Sequence, residues 1–160
     1  MSSEKRKIAY IDGKPYEIGA NHTSILKFVK SYVGEKKVPT LCDDPNLAPY
    51  GACRVCSVEV ALEKDGPTRM VASCHTPVAE NQHIFTSNEA ITSLRKNIVE
   101  LVLTDHPMEC DSCEVNNNCE LQTVANDLGI SDHRYNSPKQ HKGIPRDTSH
   151  DYMRMNLDNC

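Results

Sequence analysis

The sequence predicts an α+β fold made of two consecutive modules, and three features of its pattern support that prediction. Short segments in which apolar and polar residues alternate lie between residues 7 and 89, as expected for β-strands. One helix-like segment follows the first of these strands, near the N-terminus. From residue 88 onward the apolar period changes to that of an α-helix, so a helical module should follow the strand-rich one.

The first module begins with the segment "KIAYIDGKPYEIGA" (7–20), which predicts a β-hairpin turning at Asp12-Gly13. The next segment, "NHTSILKFVKSYVG" (21–34), predicts a short helix with one apolar face. Its expected N-cap is Thr23 or Asn21, and its expected stop is Gly34.

An irregular loop rich in proline then carries three cysteines. Two strands around Asp65-Gly66 are predicted in 54–74, and the segment 83–89 closes the module.

The second module is predicted as two helices. In 88–107 the apolar residues fall on one helical face: Ile91, Leu94, Ile98, Leu101 and Val102. Pro107 disfavours helix at the residue before it, so the first helix should end near Asp105. A shorter helix around Leu121 to Leu128 should stop at Gly129, and the polar residues from Ser131 onward predict an extended tail.

Composition limits both the class of protein and its compartment. The chain has 160 residues, 38% of them hydrophobic and none of them Trp, which is a thin core for two modules. A net charge of −4 gives no reason to expect nucleic-acid binding. Neither a secretory signal nor a run long enough for membrane insertion is visible, so the expected compartment is the cytoplasm. In that compartment the eight cysteines should be metal ligands rather than disulfides.

The first four cysteines have the spacing C-x10-C-x2-C-x17-C, at Cys42, Cys53, Cys56 and Cys74. Three thiolates in a loop with a distant fourth, after a strand–helix start, resemble a plant-type [2Fe–2S] ferredoxin with a longer first gap. Such a loop must bring backbone N–H groups close to the sulfur atoms, and Gly51, Ala52 and Ser57 are small enough to allow it. A structural zinc site and free core cysteines are the alternatives.

The second set reads H-x3-C-x2-C-x5-C, at His106, Cys110, Cys113 and Cys119. These residue types also fit a Cys₃His zinc site, so composition alone leaves the metal open. His106 is the only histidine beside the cysteine trio, and it lies where the preceding helix must break. The other histidines are expected to be exposed or hydrogen-bonded: His22, His75, His83, His133, His141 and His150.

The complete order of motifs is more specific than either set. It resembles the N-terminal region of the large iron–sulfur subunit of NADH:quinone oxidoreductase (respiratory complex I), and of related NAD-linked formate dehydrogenases and hydrogenases. The resemblance covers residues 7–160. It implies a β-grasp [2Fe–2S] ferredoxin-like domain (1–88) held by the first cysteine set, and an α-helical [4Fe–4S] domain (89–130) held by the histidine and its trio. A tail (131–160) would lead to a truncated [4Fe–4S] ferredoxin domain at Cys160, which implies a fragment or a shortened parent gene.

The same resemblance implies a function. The chain would relay single electrons within a multi-subunit NADH dehydrogenase, formate dehydrogenase or hydrogenase, without a catalytic site of its own. Its expected partners are other subunits, including a flavin- and NADH-binding diaphorase subunit, and a larger complex would hold it peripherally at the cytoplasmic membrane face. Three alternatives stay open: a zinc-binding interaction module, a catalytic enzyme for which these residues offer no site, and a remnant that never receives clusters.

Overall fold

The structure is a computed structural model that describes residues 6–132, 134–135 and 145–157. The chain divides into two compact units, Met1–Arg95 and Lys96–Cys160. Cys160, His133 and His141 lie outside the described residues. The predicted α+β class is confirmed, since one unit contains a sheet and a helix and the other is helical.

A five-stranded sheet forms the first unit. Its strands are β1 (Ile8–Ile11), β2 (Lys14–Glu17), β3 (Ser57–Ala61), β4 (Arg69–Ala72) and β5 (His83–Phe85). Their order is β2-β1-β5-β3-β4, and only the central pair of β1 with β5 is parallel. The predicted hairpin is confirmed as β1 and β2, and the predicted strand pair as β3 and β4.

The hairpin turn is fixed by Asp12 and Gly13, which both have positive φ (47° and 82°). Two consecutive residues of this kind match the twist of a tight antiparallel hairpin. The Asp12 carboxylate also accepts hydrogen bonds from the Thr86 N–H (2.8 Å) and hydroxyl (2.6 Å). The turn is therefore tied to the residue that follows β5.

Helix α1 (Ile25–Val33) packs its apolar residues into the core of the first unit. Its N-cap is Ser24, whose hydroxyl accepts a hydrogen bond from the Lys27 N–H at 3.3 Å, so the expected cap at Thr23 or Asn21 was wrong. The N–H groups of Ile25 and Leu26 donate to the carbonyls of Thr76 and Ser73, respectively, both at 2.9 Å. Since a helix start must satisfy its free N–H groups, these contacts place it. The expected stop at Gly34 is confirmed, with φ 104°.

Helix α2 (Glu89–Thr104) begins and ends close to the predicted positions, but its buried face differs from the prediction. Four of its buried residues follow an i, i+4 spacing, Ile91, Arg95, Val99 and Leu103, and Glu100 is buried beside them in the sequence. Leu101 and Val102, predicted on the apolar face, are 55% and 38% exposed. The apolar residues of the helix therefore divide between two faces.

In the described residues of the second unit, a 3₁₀ turn (Cys110–Ser112) and helix α3 (Glu120–Asp127) follow α2. Gly129 follows α3 with φ 67°, as its sequence position predicts. In the described part of the tail, Asp147 and Met155 form an isolated antiparallel bridge. No helix in the described ranges has the length and apolar character needed to cross a membrane.

Candidate metal centres

The first four cysteines lie in the sheet unit, two of them within a long loop and two beside strands. Cys42 and Cys53 belong to the long loop between α1 and β3 and are partly exposed. Cys56 immediately precedes β3, and Cys74 lies just after β4; both are buried (1% and 2% exposed) and form part of the hydrophobic core. Two of the predicted ligands are thus anchored in the core and two are carried by a loop.

The sulfur atoms of this set interact with one another. The Cys42 side chain interacts with that of Cys53, and the Cys56 side chain interacts with that of Cys74. Cys42 also acts electrostatically on Cys74. Each thiol of the first predicted set therefore interacts with at least one other thiol of that set.

Backbone N–H groups point at the two loop sulfurs. Burial raises the pKa of the Cys42 thiol, opposed by N–H donors from Cys53 and Ala52. Burial also acts to raise the pKa of the Cys53 thiol, but donors including the Val55 N–H lower it overall. Donors of this kind stabilise negative charge on sulfur, which is what an anionic iron–sulfur cluster needs from its protein.

The buried pair behaves differently. Burial raises the pKa of the Cys74 thiol to about 12, and the negative charge of Cys56 adds to the rise. Binding a metal here requires loss of that proton, because the thiolate is the form that ligates. The positive charge of bound iron would supply the attraction that the metal-free pocket lacks.

Two residues of the loop have positive φ. Gly51 has φ 72°, and a Cβ there would lie 3.3 Å from the Cβ of Ala72 and 3.5 Å from that of His75. Arg54 has φ 62°, and its carbonyl accepts hydrogen bonds from the Ser57 N–H (3.1 Å) and hydroxyl (2.6 Å). Gly51 therefore lies where a side chain would be crowded by Ala72. No sequence pattern indicated the unusual backbone at Arg54.

The second set lines one cavity. A cavity of about 660 Å³ in the second unit has His106, Cys110, Cys113 and Cys119 in its wall. Its remaining wall is mainly apolar and includes Ile98, Leu101, Val102, Val115 and Leu121. This volume is larger than a four-iron core, and the donor set is soft sulfur with one imidazole, so the residues fit a [4Fe–4S] cluster.

His106 lies where the sequence places it, just beyond the last turn of α2. The backbone N–H of His106 donates to the Leu103 carbonyl at 3.2 Å, and Pro107 prevents the helix from continuing. Burial lowers the pKa of the His106 imidazole, which favours the neutral ring. The neutral ring is the form that binds metal.

Polar contacts organise the loop that brings Cys119 to the cavity. The Gln122 side chain accepts from the Asn117 N–H and donates to the Asn116 side chain, both at 2.9 Å. Asn117 has φ 63°, a conformation that asparagine tolerates better than most residues. Gln122 was not predicted as part of the site. Its position near the start of α3, shortly after three consecutive asparagines, could have indicated a side chain that organises this loop.

The remaining described histidines lie outside both sets, as predicted. His22 accepts from the Gly19 N–H at 2.9 Å, His83 stacks on Tyr10, and His150 accepts from the Tyr152 N–H at 3.1 Å. In the described part of the chain, no three His, Cys, Asp or Glu side chains converge on a point where one metal ion would be held.

One buried group beside the first set was missed. Arg95 is 5% exposed, and its Nη2 donates to the Ser57 carbonyl at 2.8 Å. A hydrophobic pattern places an arginine on the exposed face of a helix. The one indication that Arg95 is buried was its position four residues after Ile91 and four residues before Val99.

A sheet unit with four interacting thiols and a helical unit with a cavity lined by one histidine and three cysteines are the features of an iron–sulfur protein. The chain belongs to the family described as the 2Fe-2S iron-sulfur cluster binding domain, which matches residues 8–89, just over half of the chain. Residues 95–134 match the NADH-ubiquinone oxidoreductase-G iron-sulfur binding region. The expected resemblance and the two expected cofactors, one [2Fe–2S] and one [4Fe–4S] cluster, are confirmed.

Curated relatives extend the likeness across both units. The chain is 34% identical to the alpha subunit of the NADPH-Fe(3+) oxidoreductase of Geobacter sulfurreducens over 137 aligned residues. The alignment covers 86% of this chain and 15% of the relative. Over 133 residues it is 35% identical to the G chain of the NADH-quinone oxidoreductase of Escherichia coli K12, which is 82% of this chain and 14% of the relative. The chain therefore spans about one seventh of the relatives that it matches.

A solved structure has the same fold. The crystal structure of an NAD⁺-reducing [NiFe]-hydrogenase in the H₂-reduced state superposes with a TM-score of 0.75 at 24% identity. The alignment covers 96% of this chain and 61% of the hydrogenase chain.

Proposed function

We propose that this chain relays single electrons through two iron–sulfur clusters within a multi-subunit, NAD-linked oxidoreductase. The observation that carries the proposal is the separation of the eight predicted ligands into two groups. Four thiols interact with one another in the sheet unit, and a histidine with three cysteines lines one cavity in the helical unit. The relatives are named as oxidoreductase subunits, which supports the same class of function.

The proposed ligands of the [2Fe–2S] cluster are Cys42, Cys53, Cys56 and Cys74. Those of the [4Fe–4S] cluster are His106, Cys110, Cys113 and Cys119. We further propose that residues 1–88 are a β-grasp domain, supported by its mixed sheet and the helix packed against it. Residues 89–130 would form the [4Fe–4S] domain and 131–160 the tail. The start of α2 at Glu89 supports the first boundary, although the compact units divide within that helix.

When bound, such clusters accept and donate single electrons without a general acid, base or nucleophile. The task of this chain is to set the environment. Backbone N–H donors at Cys42 and Cys53 offset negative charge on sulfur, and apolar side chains such as Leu101 and Val102 line the second cavity. A neutral imidazole at His106, in place of a thiolate, removes one negative charge and should raise the reduction potential of that centre.

The proposed partners are other subunits of the complex, including a flavin- and NADH-binding diaphorase subunit that donates or accepts electrons. The proposed location is the cytoplasm, with any association with the membrane made through the larger complex. No nucleic-acid partner is proposed, since the chain has a net charge of −4.

Anaerobic reconstitution of the full chain with iron and sulfide tests the proposal. We expect iron for one two-iron and one four-iron cluster, and two distinct electron paramagnetic resonance signals on reduction. Replacing His106 by Ala should abolish or alter the [4Fe–4S] signal alone. His106→Cys should lower the reduction potential of that centre, because it adds a negative charge.

Two variants serve as controls. His150→Ala changes an exposed histidine of the same unit, and Cys160→Ser removes the cysteine outside both ligand sets; both should leave the two signals unchanged. A colourless protein that binds zinc instead would overturn the proposed function. An unaltered [4Fe–4S] signal in the His106 variants would overturn the ligand assignment.

A further inference from the structure

Arg95 is buried without a counter-ion. Among the described residues the buried charged side chains are Arg95 and Glu100, 5% and 8% exposed. Glu100 is paired with Arg134, whose Nε lies 2.6 Å from its Oε2. In the described part of the chain no carboxylate lies within ion-pair distance of Arg95, and its Nε finds no hydrogen-bond acceptor.

Such burial is unfavourable unless a negative charge compensates it, because a guanidinium removed from water loses its hydration. Burial lowers the pKa of Arg95 to about 10, so the group is still positively charged at neutral pH. The attraction that opposes this shift comes from Cys56. A negative charge that compensates Arg95 would therefore come from the first cysteine set.

The guanidinium is held at that place by the backbone. Its Nη2 donates to the carbonyl of Ser57, the residue after Cys56. The Cys56 carbonyl in turn accepts from the Ser73 hydroxyl at 2.7 Å, next to Cys74. Two proposed ligands and the arginine thus share one buried hydrogen-bonded region, in which the local dielectric is low and charges interact strongly.

We propose that Arg95 is a positioning residue that places a fixed positive charge beside Cys56 and thereby raises the reduction potential of the [2Fe–2S] centre. The inference rests on the proposed first ligand set. Reduction adds one electron to the centre and hence one negative charge, while Arg95 keeps its proton. A nearby fixed cation stabilises the more negative state more strongly, so the equilibrium shifts toward reduction.

The test is a redox titration of the reconstituted full chain, followed by the paramagnetic signal of the [2Fe–2S] centre. Arg95→Gln removes the charge and keeps a polar amide, and Arg95→Lys keeps the charge. For Arg95→Gln we expect the ratio of reduced to oxidised centre at a fixed potential to fall about tenfold, which is about 59 mV for one electron. Arg95→Lys should stay within about threefold of the unmodified chain, about 28 mV on the same scale.

Arg69→Gln is the matched control. It removes the same charge from an exposed residue of β4 in the same unit and should leave the potential unchanged. The [4Fe–4S] signal of each sample is an internal reference that should not move. An unchanged potential in Arg95→Gln, or an equal shift in the Gln and Lys variants, would overturn the proposal.

Cluster assembly is measured in the same samples and decides the case in which a variant fails to load. If Arg95→Gln binds no [2Fe–2S] cluster but Arg95→Lys does, the charge is required and the proposal is supported. If neither variant binds it, the side chain acts through its shape and the proposal is overturned. Absence of the [2Fe–2S] signal from the unmodified chain is a separate result, since it contradicts the proposed ligands and not the role of Arg95.

Discussion

At the scale of single residues, Gly51 shows how the loop of the first centre depends on one backbone conformation. Its φ of 72° lies in the left-handed region, which costs other residues about 1–2 kcal/mol. A Cβ would also lie 3.3 Å from the Cβ of Ala72, a tight contact with an atom that is fixed to the backbone and cannot turn away. Both effects act two residues before the proposed ligand Cys53.

We therefore expect Gly51→Ala to reduce binding of the [2Fe–2S] cluster as well as stability. Gly13→Ala is a matched control, because Gly13 also has positive φ (82°) but a Cβ there would meet nothing within 4 Å. Both variants should lose about 1–2 kcal/mol of unfolding free energy from strain, and only Gly51→Ala should lose cluster. Iron content, visible absorption and urea denaturation measure the two effects. Equal cluster content in both variants would show that the loop tolerates the crowding.

At the scale of elements, the start of α1 tests how a helix is positioned. The Ser24 hydroxyl accepts the Lys27 N–H, so Ser24→Ala should lower the unfolding free energy by about 1 kcal/mol. Thr23→Ala is the control, since Thr23 is exposed and its side chain makes no hydrogen bond in the described structure. That variant should change stability by less than about 0.5 kcal/mol. Denaturation of both variants with the same cluster content gives the comparison, and equal losses would exclude Ser24 as the cap.

The same helix shows where prediction from sequence reaches its limit. Asn21, Thr23 and Ser24 are all good capping residues, so local chemistry cannot choose among them. The start of the helix is set by a distant part of the chain, because the carbonyls of Ser73 and Thr76 accept hydrogen bonds from the N–H groups at positions 26 and 25. Turns and stops, by contrast, depend on local backbone rules, and the expected positions of Gly13 and Gly34 are confirmed.

In helix α2 and the candidate centres, too, features set by local sequence were predictable and features set by distant contacts were not. Pro107 acts locally, so the end of the helix was predictable, and the cysteine spacings pointed to the candidate ligands without knowledge of the fold. The buried face of α2 was not predictable, because its apolar residues serve two surroundings: Ile91 is buried in the structure, and Leu101 lines the cavity. Arg95 is charged, and its burial against the Ser57 carbonyl is a contact that no hydrophobic pattern represents.

At the scale of the whole molecule, the two units differ in how much core they have without metal. The first unit buries a large apolar cluster between the sheet and α1, in which Cys56 and Cys74 are the only proposed ligands. In the described part of the second unit the buried apolar side chains are few: Val99, Leu103, Val124, Ala125 and Ile130. Beyond α2, the described part of that unit contains one 3₁₀ turn and one short helix.

This difference predicts unequal effects of removing metal. Because metal binding contributes to folding free energy, the cluster-free chain should lose structure first around 42–56 and 106–119, where the described chain has little regular structure. We expect amides of α3 to lose most of their protection from hydrogen exchange in the metal-free chain. Amides of β1 and α1, buried in the larger core, should retain theirs.

Hydrogen exchange of the reconstituted and metal-free chain, analysed by peptide, measures this directly, and proteolysis and circular dichroism provide independent readouts. The hairpin β1–β2 is the internal reference, since it contains no proposed ligand. Equal protection of the two cysteine-bearing segments with and without metal would contradict the prediction. Uniform loss over both units would mean that the sheet core is also too small to fold alone, because a core that suffices by itself keeps its amides protected when the clusters are absent.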